Sequence, residues 1–156
     1  LATHLRRIQN ELRPPQLELG LEATIADFCE EYERVFAHMP IELSIALDEE
    51  KLPPNLPIVI FRIIQEALSN IVKHSGATRA SVSLGMDGDA LRLVIRDDGK
   101  GFSVAEKLAD VSVKSGLGLK SLRERAQLSS GVLTIGSELS RGTIIAVVWD
   151  AAALRG

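Results

Sequence analysis

The chain has 156 residues, enough for one domain with a buried hydrophobic core. Its 46 % hydrophobic and 25 % charged residues exclude disorder, and its net charge of −3 with scattered basic residues argues against a nucleic-acid surface. The longest apolar run, LPIVIF, is too short to span a bilayer, and the charged residues 1–12 show no signal-peptide pattern.

The N-terminal segment predicts a helix that ends early. An apolar helical stripe runs through LATHLRRIQNEL and must stop at Pro14-Pro15, because proline interrupts the helical hydrogen-bond ladder. One short helix has no core of its own. We therefore expect residues 1–15 to be the end of a larger element plus a linker, and residues 16–156 to form the domain.

The next elements alternate between helices and a strand. A helix is predicted from Leu21 to Phe36, with Cys29 as a small buried hydrophobe. The alternation in IELSIAL predicts a strand, and a second helix is predicted from Pro57 to His74. Because the chain has one cysteine, no internal disulfide can form, which favours a reducing compartment.

The C-terminal half predicts two hairpins around one helix. ASVSLGM and ALRLVIR alternate as strands and are joined by Asp87-Gly88-Asp89, a hairpin signal. The helix in LKSLRERAQLSS ends at Gly131, the usual glycine just past a helix, and VLTIGSEL and TIIAVVWD then form a hairpin. These elements predict an α+β fold, a two-layer sandwich whose mixed, mostly antiparallel sheet is covered by helices on one face.

The central helix carries a polar stripe beside its apolar face. Glu66, Asn70 and Lys73 lie at spacings of i, i+4 and i+7, with Arg62 beside them. Such a stripe is most often a solvated helix face. A carboxylate, an amide and an ammonium in a row also suit a metal–phosphate group, because the oxygens contact hard cations and the lysine contacts phosphate. The stripe alone leaves both interpretations open.

The segment RDDGKGF ends a strand with two acids and two glycines. Asp97 has the parity of the apolar residues in LRLVI, so its carboxylate is expected to point toward the core, where it needs a donor. The exocyclic amine of adenine would be a suitable donor, whereas guanine presents an acceptor oxygen there. Gly99 and Gly101 would let the backbone approach a flat ring. A strand-end turn in which Asp97 caps backbone amides explains this motif equally well.

A second glycine pair, Gly116 and Gly118, stands directly before a predicted helix. Free amides and the helix dipole at such a start bind anions, and Lys120 and Arg123 lie in the first turns. The spacing matches neither a Walker loop nor a Rossmann fingerprint, and helix capping is the plain alternative.

Taken in order, these motifs resemble those of the GHKL ATPases. QEALSNIVKHSGA is similar to their N box, DDGKGF and GLGLKSLRERA to their two glycine boxes, and GTIIAVV to their closing Gly-Thr motif. More narrowly, LRPPQLELGLEATI and LKSLRERA resemble the nitrate-sensor class of bacterial histidine kinases. The resemblance covers nearly the whole chain. It implies the Bergerat fold, which binds ATP and Mg²⁺ beneath a lid, here residues 103–115.

The resemblance implies that four positions surround the adenine. Asp97 would hold the amino group, and Thr143 would join it through water. Gly99 and Gly101 would pass close to the ring.

Another set of positions would surround the phosphates. Asn70 would coordinate Mg²⁺, and Lys73 or His74 would meet phosphate oxygens. Glu66 would polarise a water or assist phosphoryl transfer. The lid hinge and the nucleotide contacts of the second glycine box would come from Gly116, Leu117, Gly118 and Leu119.

The implied activity is that of an ATP-dependent protein-histidine kinase in a two-component system. Such kinases phosphorylate a histidine that precedes an acidic residue, whereas His4, His38 and His74 precede Leu, Met and Ser. We therefore expect a catalytic domain whose acceptor histidine lies on a dimerisation hairpin outside this chain, with residues 1–12 as the tail of that hairpin.

The implied partners are this dimerisation domain, a second copy in a full-length homodimer, and a response regulator with a helix-turn-helix output domain. The domain is expected to be cytoplasmic, whether or not the parent protein is anchored in a membrane. An anti-sigma serine kinase of the same fold is an alternative, although it is not expected to carry NELRPP. A non-catalytic nucleotide sensor is a third alternative, against which the intact Glu66, Asn70 and Asp97 argue.

Overall fold

The computed structural model describes residues 14–36, 39–74, 76–100, 119–137 and 140–156, and these residues form four α-helices and one five-stranded sheet. The helices are α1 (Leu21–Val35), α2 (Leu56–His74), α3 (Leu119–Leu128) and α4 (Ala151–Leu154). The strands are β1 (Ile41–Ala46), β2 (Ala80–Asp87), β3 (Ala90–Asp97), β4 (Val132–Ser137) and β5 (Thr143–Trp149). Two short 3₁₀ helices span Pro14–Leu19 and Glu49–Lys51.

The sheet is mixed, as the sequence predicts. Its strand order is β1-β2-β3-β5-β4, with β1 parallel to β2 and every other neighbouring pair antiparallel. The parallel pair is possible because α2 lies between β1 and β2 in the chain and provides the long crossover that parallel strands need. The β2–β3 and β4–β5 pairs are the two predicted hairpins. The predicted two-layer α+β fold is confirmed.

One face of the sheet is buried beneath the helices. In β3, alternate residues such as Leu91 and Leu93 are fully buried, whereas Arg92 and Arg96 on the other face are exposed. The apolar face of α2 is also buried, and it consists of Ile60, Ile64, Ala67, Leu68 and Ile71. The apolar residues that recur every 2 positions in β3 and about every 3.6 positions in α2 therefore pack in a single core.

The end of α3 differs from the prediction. Ser130, not Gly131, adopts the left-handed conformation, with φ of 64°. The amides of Ser130 and Gly131 donate to the carbonyls of Gln127 and Ala126 at 3.0 and 2.8 Å, which is a Schellman pattern. Gly131 is required by packing instead, because a Cβ there would lie 2.7 Å from Nε1 of the buried Trp149.

Cys29 is buried on α1, as predicted. Burial, together with the charge of Glu33, raises the pKa of its thiol to about 12, so the thiol stays protonated and is a packing group. No helix within the described ranges is both long and apolar enough to cross a membrane. The predicted N-terminal helix and the segment 103–115 lie outside the described residues.

Candidate functional site

Asp97 is the last residue of β3, and its side chain is half-buried at the edge of the core layer. Its Oδ1 accepts a hydrogen bond from the Gly99 amide at 2.8 Å. Burial raises the pKa of Asp97; the Gly99 amide opposes this effect, and the charge of Asp98 adds to it. One oxygen thus caps the turn, as one interpretation of the sequence predicts. Within the described part of the chain, no donor contacts the other oxygen, Oδ2.

The Gly-Thr pair at the start of β5 lies directly opposite this acid. The antiparallel register pairs Asp97 with Thr143, whose side chain is buried. Gly142 has φ of +79°, and a Cβ added to it would lie 2.1 Å from the carbonyl oxygen of Asp97. Only glycine therefore allows the two backbones to approach this closely. The fold itself brings the two distant motifs together.

A third strand fixes the hydroxyl of Thr143. Ser137 of β4 pairs with Thr143, and their hydroxyl oxygens are 2.9 Å apart. The Ser137 hydroxyl also donates to the carbonyl of Gly142 at 3.1 Å. Because a hydroxyl has one proton and a carbonyl only accepts, Thr143 is the donor to Ser137 and offers lone pairs to other groups. The sequence analysis missed Ser137, which the register of the β4–β5 hairpin could have indicated.

Asp98 points away from the core and has a structural role that the sequence analysis missed. Its Oδ1 accepts from the amides of Thr78 and Arg79 at 2.8 and 2.9 Å, and its Oδ2 accepts from the Thr78 hydroxyl at 2.8 Å. These hydrogen bonds, the Thr78 hydroxyl first, hold the pKa of Asp98 below its usual range. Asp98 thereby attaches the segment that follows α2 to the end of β3.

The polar stripe of α2 is unevenly exposed. Glu66 and Asn70 are half-buried, whereas Lys73 is exposed to solvent. Arg62, placed beside the stripe by the sequence analysis, donates to Gln65 at 2.8 Å. The interpretation as a solvated helix face therefore describes Lys73 but not Glu66 and Asn70.

Glu66 is bound by α3, which the sequence analysis did not anticipate. Its Oε2 accepts from the Ser121 hydroxyl at 3.2 Å and from Nε of Arg125 at 3.1 Å. These partners lie 55 and 59 residues further along the chain, so no local pattern reveals them.

Both glycine boxes are only partly described. Gly101, Gly116, Leu117 and Gly118 lie outside the described residues, as does the side chain of His74. Leu119, the first residue of α3, is buried in the core, so its side chain anchors the helix and only its backbone is available to a ligand.

Comparisons with known proteins agree with this fold. Residues 55–153 match the family of histidine kinase-, DNA gyrase B-, and HSP90-like ATPases. The chain is 34 % identical over 144 residues to sensor histidine kinase LiaS of Bacillus subtilis, which covers 92 % of this chain and 38 % of LiaS. It is 30 % identical over 146 residues to oxygen sensor histidine kinase NreB of Staphylococcus carnosus, which covers 93 % of this chain and 41 % of NreB.

A solved structure shares the same fold. The histidine kinase domain of the blue-light activated histidine kinase from Erythrobacter litoralis matches with a TM-score of 0.65 at 18 % identity. The match covers 86 % of this chain and 63 % of that domain. The present chain thus has the fold of such a kinase domain and spans about two fifths of the length of the two relatives above.

Proposed function

The chain belongs to the family of histidine kinase-, DNA gyrase B-, and HSP90-like ATPases, and on this basis we propose that it is the catalytic domain of a sensor histidine kinase. In this proposal it binds ATP and transfers the γ-phosphate to a histidine on a dimerisation domain. The observation that supports it best is the half-buried Asp97, whose Oδ2 has no donor among the described residues and whose neighbour Thr143 also presents lone pairs.

The base would be recognised by this pair of acceptors. Oδ2 of Asp97 would accept from the exocyclic amine of adenine, and Thr143 would act through water. A carbonyl oxygen at the same place, as in guanine, would face two acceptors and be rejected. Gly99, which is buried, and Gly101 would lie against the ring.

The phosphates would lie between α2 and the start of α3. Asn70 supplies an amide oxygen on the half-buried part of the stripe, which suits Mg²⁺, since this ion usually takes one or two protein oxygens and completes its shell with phosphate and water. When bound, the ion neutralises charge on the phosphates. The first amides of α3 and its dipole would favour the triphosphate, with Gly116, Leu117, Gly118 and Leu119 as the proposed contacts. Lys73 or His74 would meet phosphate oxygens.

The transfer itself requires positioning more than covalent chemistry by the protein. The bond between the γ-phosphorus and its bridging oxygen breaks, a bond to the imidazole nitrogen forms, and the imidazole loses a proton. Glu66 is the proposed acceptor of that proton. The acceptor imidazole would come from another domain, because His4, His38 and His74 all lack the acidic neighbour that such kinases use.

The proposed assembly follows from this role. Residues 1–15 would be the tail of the dimerisation hairpin with its linker, and residues 16–156 the catalytic domain. The full-length protein would be a homodimer with this domain in the cytoplasm, and it would pass its phosphate to a response regulator with a helix-turn-helix output domain.

The proposal is tested by supplying the missing substrate in trans. The chain is incubated with γ-labelled ATP, alone and with the dimerisation hairpin of the parent protein as a separate dimer. We expect acid-labile label on the hairpin only, and none on a hairpin whose acceptor histidine is replaced by alanine. Acid-labile label on this chain alone, at His4, His38 or His74, would overturn the proposed division of roles. Acid-stable label on serine would favour the anti-sigma kinase, and ATP binding without any transfer would favour the nucleotide sensor.

A further inference from the structure

The Glu66 carboxylate is held by two side chains from another helix. Ser121 and Arg125 both donate to Oε2, at 3.2 and 3.1 Å. The two donors are four residues apart on α3, so they lie on one face of that helix. The Glu66 side chain is 24 % exposed and that of Arg125 is 44 % exposed. The pair thus lies at the rim of the α2–α3 contact rather than in the core.

This arrangement restricts the carboxylate of Glu66. Two donors that converge on one oxygen hold that oxygen in place and so restrict the rotamer of the Glu66 side chain. Within the described part of the chain, no donor contacts Oε1. Oε1 is therefore the oxygen left to accept a proton.

The donors themselves stand on a rigid support. Leu122 and Ala126, the residues that directly follow the two donors in α3, are fully buried and fix the helix against the core. The helix begins at Leu119, directly after the two glycines of the second glycine box. The helix whose start is proposed to face the phosphates is thus the helix that orients Glu66.

We infer that Ser121 and Arg125 are positioning residues for Glu66 in phosphoryl transfer. They turn Oε1 toward the incoming imidazole and bind no substrate themselves. This inference rests on the proposed function and specifies how Glu66, the proposed proton acceptor of that reaction, is held. An ion pair as exposed as this one contributes little to stability, so its effect is expected in the rate.

The test separates the rate of transfer from nucleotide binding. With the hairpin in trans at saturation, Arg125→Ala should lower kcat about tenfold, part of the 10²- to 10⁴-fold effect of a general base, and leave the KM for ATP within about twofold. Arg125→Lys should restore part of the rate, and Ser121→Ala should cause a smaller loss. The matched control is Arg92→Ala, an exposed arginine on the open face of the sheet, which should leave kcat unchanged.

A double-mutant comparison with Glu66→Gln decides between positioning and a general structural effect. If Arg125 acts through Glu66, Arg125→Ala lowers kcat in the wild type but not in the Glu66→Gln background. An equal loss in both backgrounds, or an unchanged kcat in Arg125→Ala, would refute the inference. Full activity of Glu66→Gln would refute it as well but leave the kinase assignment intact. Failure of the unaltered chain to phosphorylate the hairpin would reject both.

Discussion

Replacing Gly142 with alanine perturbs the contact between the Gly-Thr pair and Asp97. The φ of +79° at this position costs an L-residue about 1–2 kcal/mol. The added Cβ would lie 2.1 Å from the Asp97 carbonyl oxygen and 3.1 Å from its carbonyl carbon, so the two backbones must separate by about 1 Å. Such a shift in a packed region costs about 1–3 kcal/mol. We therefore expect the free energy of unfolding to fall by about 2–5 kcal/mol.

The same shift should weaken ATP binding, because Asp97 is the proposed acceptor for adenine. A displacement on the order of 1 Å takes a hydrogen bond out of range. Loss of a hydrogen bond to a charged group costs about 1.5–3 kcal/mol, which is roughly a 10- to 100-fold rise in Kd. Urea unfolding gives the stability, and isothermal titration with ATP gives the affinity.

Two other glycines provide matched controls. Gly88, in the β2–β3 turn, has φ of +66° and no atom within 4 Å of an added Cβ, so Gly88→Ala introduces strain without a clash. Gly136 on β4 has neither a left-handed φ nor a close neighbour, so Gly136→Ala should be nearly neutral. Both controls should bind ATP normally. If Gly142→Ala is no less stable than Gly88→Ala, or binds ATP as tightly, the close approach to Asp97 has no importance for the site.

Two further substitutions test the proposed roles of Asp97 and Asn70. Burial raises the folded-state pKa of Asp97, so its ionised form destabilises the fold above that pKa, and the penalty disappears as the pH falls through it. In urea titrations, the Asp97→Asn variant should therefore be at least as stable as the wild type at pH 7, and its free energy of unfolding should lack the contribution that changes as Asp97 is protonated at acidic pH. Its affinity for ATP should fall about 10- to 100-fold. Equal affinity of the wild type for ATP and GTP would exclude the adenine assignment. Asn70→Ala should abolish the gain in ATP affinity that Mg²⁺ provides, measured by calorimetry with and without the ion, and an unchanged gain would show that Asn70 is not a ligand.

The parts of the fold that follow from periodicity could be predicted from the sequence. Alternation along β3 placed Asp97 on the inner face, and the structure shows it half-buried there. The buried face of α2 could be predicted in the same way, because Ile60 and Leu68 must lie on the same side of a helix, and both are buried. These predictions depend only on backbone geometry that neighbouring residues share.

Contacts between distant segments could not be predicted in this way. Asp98 binds Thr78 across 20 residues, and Glu66 binds Arg125 across 59. Gly131 is a third example. The sequence predicts it as the glycine that ends α3, but Ser130 adopts the left-handed conformation there. Its small size leaves room for the indole of Trp149, which lies 18 residues further along the chain at the end of β5.

At the proposed adenine end of the site, the fold's own hydrogen bonds would select the ligand. The Gly99 amide occupies Oδ1 of Asp97, and the Ser137 hydroxyl, committed to the Gly142 carbonyl, takes the proton of Thr143. As far as the described residues show, what remains on the Asp97 and Thr143 side chains is acceptor capacity. A half-buried acid without a full set of donors is unfavourable for folding. In the proposed function, the exocyclic amine of adenine would satisfy this acceptor.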